Sequence, residues 1–437
     1  MIRELAVLLD QKEVGRVRRN PSGRLSFVYD EGWRSQPAAC PISLSMPLTS
    51  AEHGHAHIDN FLWGLLPDNQ RILEQWASRF HVSAKNAFGL IAAVGEDCAG
   101  AIQFVRPERL EHLISGKARA SDVQWLDEHG VAERLRALER DPAIWRMAGD
   151  SGQFSLAGAQ AKTALLFQPG KGPKGTWAVP SGRLPTTHIL KPPLRDFDGH
   201  VENEHFCLCL ARSLGFPVPN SEVMRFEDQV AIVVERYDRM RVQGTLRRIH
   251  QEDLCQALGL SPTRKYENEG GPGVRRIVEL LRTASGDPTQ DVATFTDSLV
   301  FNWLIAGTDG HAKNYSLLLG AGGAVRLAPL YDLASILPYK HMDPLKVKLA
   351  MKIGGVYRMR DIRARQWEKL ASESKLNSQE MLARVADLAR AMPDHVSDVQ
   401  KQLLAARLTH PVIERLSQRL VDRSRQCLRA VSSSSGF

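Results

Sequence analysis

Residues 298–315 read SLVFNWLIAGTDGHAKNY: an apolar run, then Gly307, then a polar loop carrying Asp309, His311, Lys313 and Asn314. A bilayer crossing takes ~18 or more apolar residues, and this run is shorter and contains Asn302, so it reads as a buried helix. A loop that leaves a buried helix has a fixed root. This one presents a carboxylate and, five positions later, a carboxamide. Working outward, the strand-like AVRLAPL delivers Tyr331-Asp332-Leu333, with a second carboxylate eighteen residues after Asn314. Upstream, the Gly/Ala loop Leu156-Ala157-Gly158-Ala159-Gln160-Ala161-Lys162 runs into the strand TALLF, and a second strand, THILK, ends in Lys191. The helical pattern VENEHFCLCLARSLG follows, bearing Glu202 and Glu204, and then VVERYDR.

These parts, in this order, suit phosphoryl transfer. That chemistry needs amides or a lysine on phosphate, carboxylate and amide oxygens on a divalent cation, and a carboxylate that orients the acceptor hydroxyl. Asp309 and Asn314 repeat the D-x-x-x-x-N spacing of a kinase catalytic loop, with Asp309 as base and Asn314 as a metal ligand. Asp332 takes the second carboxylate's place. Lys191 can reach phosphate, with Glu202 or Glu204 as its partner. The Gly158 loop lacks G-x-x-x-x-G-K-[ST], so a P-loop NTPase is not supported.

The 437 residues allow about three domains at ~150 residues each, and 43% hydrophobic with 24% charged residues is the composition of a folded globular chain. Lys and Arg exceed Asp and Glu by 57 − 49 = 8, spread along the sequence, which mildly favours a polyanionic partner. Neither an export signal nor a membrane span is expected, and the six cysteines form no C-x-x-C pair, so a reducing cytoplasm is the expected setting. Of two metal-like clusters, His53, His55 and His57 suit a solvated loop, and His205 with Cys209 suit helix packing.

The first hundred residues alternate with period two at Leu25, Phe27 and Tyr29 and at Ile42, Leu44, Met46 and Leu48, predicting two strands, with helices following. Residues 106–146 are charged and helical, resembling a connector. From His250 on, short strands at YSLLL and AVRLAPL apart, the pattern is helical. The basic stretch from Lys340 to Arg365 reads either as a solvated helix-loop face or as a dock for an acidic or tRNA-bound protein.

The strings FLWGLLPDN, SLAGAQAKTALL, TTHILK, NEHFCLCLARSLG, VERYDR, HQEDLCQALG, KYENEGGPG, TDGHAKN and LYDL together resemble the HipA family of serine/threonine kinase toxins over nearly the whole chain. The resemblance implies an α+β, kinase-like two-lobed fold. Residues 1–140 would form the mixed α/β N-terminal subdomain and connector, 141–240 the small lobe, and 241–437 an all-helical C-terminal lobe. It implies ATP and Mg²⁺ as cofactors and Asp309 as catalytic base, Asn314 and Asp332 as metal ligands, and Lys191 as the phosphate lysine. It further implies Ala157, Gly158, Ala159, Gln160, Ala161 and Lys162 over the phosphates, His311, Ala312, Lys313 and Asn314 beneath them, and Glu235, Arg236 and Tyr237 around adenine. Ser155 would be an inactivating autophosphorylation site. The implied partners are a HipB-like helix-turn-helix antitoxin, operator DNA reached through it, and as substrate an aminoacyl-tRNA synthetase such as glutamyl-tRNA synthetase, in the cytoplasm and with no membrane. Two departures stand out: Ala161 replaces a Glu that often precedes the loop lysine, and only Lys375 in ASESKLNSQE resembles a DNA-contacting base. Two other readings fit the residues: a catalytically weak co-repressor or binding partner of an antitoxin, and a kinase for a small molecule or lipid.

Overall fold

The computed structural model describes residues 2–114, 122–144, 147, 150, 154–170 and 175–432. The chain divides into two compact units: Met1–Pro192 with Met224–Pro262 and Ser316–Val325, and Pro193–Val223 with Thr263–Tyr315 and Arg326–Phe437.

The first unit holds two main sheets. A five-stranded antiparallel sheet runs in the order Glu52–His53, Leu25–Tyr29, Lys12–Arg19, Glu4–Leu9, Ile102–Val105. Leu25, Phe27 and Tyr29 alternate inward as their period of two predicts, against the apolar helices His55–Leu65, Gln70–Phe80 and Ala87–Val94. Residues 42–48, expected as a strand, form none: Ser43 and Met46 make one isolated bridge. Pro41 and Pro47 lack amide donors, and the Tyr29 phenol replaces a ladder, accepting from the Ile42 amide and donating to the Met46 carbonyl oxygen. His53 to His57 are not a loop either. His53 ends a short strand, buried with Nε2 on the Pro47 carbonyl oxygen, while the Leu25 amide donates to His55 Nδ1.

The six-stranded sheet has the order Ser221–Phe226, Gln229–Glu235, His188–Lys191, Thr163–Gln168, Thr176–Pro180, Val123–Leu126. Its last strand, and the helix Glu128–Arg140 packed beneath through Val131, Ala132 and Leu135, come from the stretch expected as a connector. In that stretch, residues 115–121 and 145–146 lie outside the described residues.

The second unit is mainly helical, built on His200–Ser213, Val274–Ala284, Pro288–Ile305, Ala364–Glu373, Ser378–Ala405 and Pro411–Ser432. Pro288–Ile305 begins at an Asp287 cap with Pro288 in the first turn, and its second half, from Ser298 to Ile305, is mainly apolar and buried on every face. In the basic stretch from Lys340 to Arg365, the expected solvated face is built on a hairpin and not on a helix and loop. Lys348–Ile353 and Val356–Arg358 make a hairpin, burying Leu349, Ala350, Met351 and Ile353.

Candidate functional site

The loop after Pro288–Ile305 is fixed at both ends by that helix. Ala306 adopts the left-handed conformation that ends it, its amide directed at the Asn302 and Trp303 carbonyl oxygens. Asn302 packs beneath the loop's glycines: a Cβ at Gly307 would lie 2.5 Å from Asn302 Oδ1, and one at Gly310 2.8 Å from Nδ2. At the far end the buried Tyr315 hydroxyl accepts from Ser298 Oγ at 3.1 Å and Asn302 Nδ2 at 3.2 Å. Between these anchors the Asp309 side chain is 66% exposed. Asn314 Nδ2 donates back to the Asp309 carbonyl oxygen at 2.8 Å, so that its amide oxygen is the atom left for a cation. His311 Nε2 lies 3.8 Å from Asp309 Oδ1. Sequence reasoning missed Tyr266, whose hydroxyl donates to the same Oδ1 at 2.5 Å; its signal lay within KYENEGGPG.

Asp332 belongs to the same unit and takes φ +53°, a left-handed value that aspartate tolerates better than most side chains. The Tyr331 hydroxyl donates to the Lys313 carbonyl oxygen at 2.8 Å, tying this segment to the catalytic loop. Three residues on, Asn203 grips Ser335 through both backbone groups, Nδ2 on its carbonyl oxygen at 2.7 Å and Oδ1 on its amide at 3.1 Å, while Ser335 Oγ donates to the Ile305 carbonyl oxygen. The segment is thereby held on helices His200–Ser213 and Pro288–Ile305. One carboxamide oxygen and one carboxylate are a donor set suited to Mg²⁺, which takes one or two protein ligands with phosphate oxygens and water. Among the described residues no group of three or more His, Cys, Asp or Glu side chains is placed to hold a metal by itself.

The first unit places the other residues. Thr163–Gln168 and His188–Lys191 pair antiparallel with Thr163 opposite Leu190, which brings the buried Lys191 beside the strand entry where the Ala157–Lys162 loop ends. The loop is pinned from the N-terminal part of the unit. The Ser155 amide donates to the Asp97 carbonyl oxygen, its hydroxyl to the Leu65 carbonyl oxygen, and the Asp68 amide to the Gly158 carbonyl oxygen. Gly158 sits at φ +105° and Lys162 Nζ donates to the Ala157 carbonyl oxygen at 2.7 Å, closing the loop on itself. Gln160 Nε2 donates to the Pro192 carbonyl oxygen at 3.4 Å. Ala159 and Ala161 complete it, Ala161 with Pro67, Ile72 and Trp76 lining a shallow hollow beside the loop.

Glu235 ends the strand Gln229–Glu235 exposed, and the Arg236 amide continues its pairing onto the Thr187 carbonyl oxygen. The Arg236 guanidinium turns inward, and the residue's carbonyl oxygen accepts from the Arg239 amide at 3.2 Å. The Tyr237 hydroxyl donates to Gln251 Oε1.

Sequence reasoning also missed what Arg236 meets: a buried cluster of Asp97, Asp238, Arg236, Arg239 and Arg248. Asp97 Oδ1 accepts from Arg239 at 2.9 Å and Arg248 at 3.2 Å, and its Oδ2 from the Thr186 amide and hydroxyl. Asp238 accepts from Arg236 at 3.0 and 2.8 Å, and from the Gly100 amide at 2.6 Å. Burial pushes both carboxyls up, but the arginine charges outweigh it and hold both below the usual carboxylate range. Burial, reinforced by Arg236, pulls the Arg239 guanidinium down to about 10. Away from these residues, His205 and Cys209 stack in the core of His200–Ser213, with burial pulling the imidazole down to about 4.

A model of the HipA-like C-terminal domain matches residues 154–396, and a model of the HipA N-terminal domain matches residues 5–105. The Sinorhizobium fredii protein Y4mE is 36% identical over 401 residues, 91% of this chain and 92% of that protein. The serine/threonine-protein kinase toxin HipA of Shewanella oneidensis is 31% identical over 385 residues, 85% of this chain and 83% of the toxin. A solved complex of S. oneidensis HipA, HipB and operator DNA superposes with a TM-score of 0.82 at 26% identity, covering 98% of both chains.

Proposed function

The chain belongs to the HipA family of kinases, and from that premise we propose that it is a serine/threonine protein kinase toxin using ATP with Mg²⁺. The observation that carries this reading is the exposed Asp309 carboxylate on a loop rooted in a buried helix, with the Asn314 amide folded onto its backbone. In the proposal Asp309 takes the proton of the acceptor hydroxyl, and Asn314 and Asp332 hold Mg²⁺. Lys191 and the Ala157–Lys162 loop receive phosphate, His311, Ala312 and Lys313 line the nucleotide from the catalytic loop, and the Glu235–Tyr237 backbone receives adenine. ATP would supply the phosphoryl group, and the chain's own residues would orient it and move the proton.

The finer assignments are proposals of the same kind. The substrate is a translation protein, with an aminoacyl-tRNA synthetase as the leading class and glutamyl-tRNA synthetase as its first candidate, and its modification arrests growth in the cytoplasm. The partner is a HipB-like antitoxin that carries the chain to operator DNA, by likeness to the complex of the S. oneidensis protein. Ser155 is the site of inactivating autophosphorylation, and residues 1–140, 141–240 and 241–437 are the functional divisions.

Labelled ATP incubated with the purified chain and a bacterial lysate tests the core of this. A labelled protein band that disappears with Asp309→Gln is expected, the base being worth ~10²–10⁴-fold in rate. Label in lipid with none in protein, or undiminished transfer by the variant, would sink it. Phosphoproteomics after brief induction names the substrate, and a synthetase lacking any new phosphosite excludes that class.

A further inference from the structure

Asp309 and Tyr266 lie 43 residues apart in sequence, yet the tyrosine hydroxyl rests 2.5 Å from Asp309 Oδ1. This is the short range of a hydroxyl donating to an ionised carboxylate.

The chain is tied down on both sides of Tyr266 in sequence. On its N-terminal side the Lys265 carbonyl oxygen accepts from the Ala312 amide at 3.1 Å, a direct backbone link to the catalytic loop. On its C-terminal side Glu267 Oε2 accepts from the Lys352 amide at 2.6 Å, anchoring the turn on the hairpin Lys348–Ile353 and Val356–Arg358. The Tyr266 carbonyl oxygen accepts from the Glu269 and Gly271 amides. That closure requires glycine, since a Cβ at Gly271 would lie 2.3 Å from the Arg264 carbonyl oxygen. The ring meets His311 edge to face at 4.9 Å, and Lys265 Nζ lies 5.5 Å from its centre. A segment of tight turns braced at two points therefore aims one hydroxyl at one carboxylate oxygen.

An aspartate that is two-thirds exposed is otherwise free to turn about two torsions, and a general base works only when its oxygen faces the proton it takes. We propose that Tyr266 is a positioning residue for phosphoryl transfer. Its phenol fixes the Asp309 carboxylate through Oδ1, so that Oδ2 receives the proton of the acceptor hydroxyl. Nucleotide contacts are not part of this role. The proposal rests on the reading of Asp309 as the base, so its test separates the two.

The test uses the full chain, labelled ATP with Mg²⁺, and a bacterial protein extract as acceptor, comparing wild type, Tyr266→Phe and Asp309→Asn. The expected result is a Tyr266→Phe rate at saturating ATP lowered roughly 10- to 100-fold, the scale of a reacting group displaced by about 1 Å. The KM for ATP stays within about twofold and the melting temperature is unchanged, because only the oriented hydroxyl is gone. A Phe variant with wild-type rate, beside an inactive Asp309→Asn, overturns the role of Tyr266 and leaves the base assignment standing. A faster Phe variant also overturns it, since the phenol would then block the acceptor's place. A fall in melting temperature and ATP affinity together with rate overturns it in favour of a merely structural contact. Full activity in Asp309→Asn defeats the base assignment itself.

Discussion

The Ser155 hydroxyl donates to the Leu65 carbonyl oxygen at 2.7 Å, and the side chain is 1% exposed. As placed, this hydroxyl is sealed from solvent and already committed to a backbone acceptor. Modification of Ser155 thus requires the loop to leave its seat against residues 65–68. Once a phosphate of nearly two negative charges is attached, a carbonyl oxygen faces it and the seat is lost.

A charge placed at Ser155 is accordingly expected to act as the proposed phosphorylation would. Ser155→Glu should lose ATP binding in calorimetry, while Ser155→Ala, short of one buried hydrogen bond worth about 1 kcal/mol, should bind within a few fold of wild type. Wild-type affinity in the Glu variant would show that the loop tolerates the charge in place.

Asp97 answers three arginines from one buried position. Asp97→Ala leaves Arg239 and Arg248 without that carboxylate in the interior, and removing one partner of such a group costs about 3–5 kcal/mol. Chemical denaturation should register a loss of that order. A loss below about 1 kcal/mol would mean that the cluster relaxes or admits water.

The Glu252 carboxyl is buried where the Leu44 amide donates to it at 2.8 Å, and burial pushes it up to about 8. In an unfolded chain a glutamate titrates near ~4.3, so between these values the native state holds the extra proton. The stabilisation it brings is complete below the unfolded value and disappears as pH rises through about 8. Glu252→Gln keeps the neutral shape without the titration. The melting temperature of the variant relative to wild type should therefore climb from pH 5 to pH 8.5, and a difference flat with pH would contradict the buried proton.

Asn203 holds the Asp332 segment through Ser335. Asn203→Ala strips the partner from a buried amide and a buried carbonyl at once, a destabilisation on the order of 1–3 kcal/mol. Because Asp332 is three residues away, the Mg²⁺ concentration for half-maximal phosphate transfer should rise with it. Unchanged Mg²⁺ dependence in a destabilised variant would confine Asn203 to the core.

Several elements were legible because they depend on local pattern. The period-two run Leu25, Phe27, Tyr29 became a strand, and the apolar run ending at Ile305 became the buried helix that roots Asp309. Residues 42–48 alternate as well, yet two prolines and a phenol from Tyr29 satisfy their backbone without a ladder. The hairpin at Lys348–Arg358 was hidden because its basic side chains mask a buried face of Leu349, Met351 and Ile353. The Asp97 cluster left no periodic trace, since its members come from loops and strand ends up to 151 residues apart.

The sequence by itself determined the family, the order of the chemical groups and the spacing of Asp309 and Asn314, because these are properties of neighbouring residues and of strings read along the chain. Only the tertiary structure decided that Tyr266 meets Asp309, that Ser155 is sealed by Leu65, and that Arg236 turns into a buried cluster. Each of those pairings joins residues far apart in sequence. Which side chains meet across such distances is fixed by how helices and sheets pack and by where buried polar groups find partners, and no local pattern encodes that.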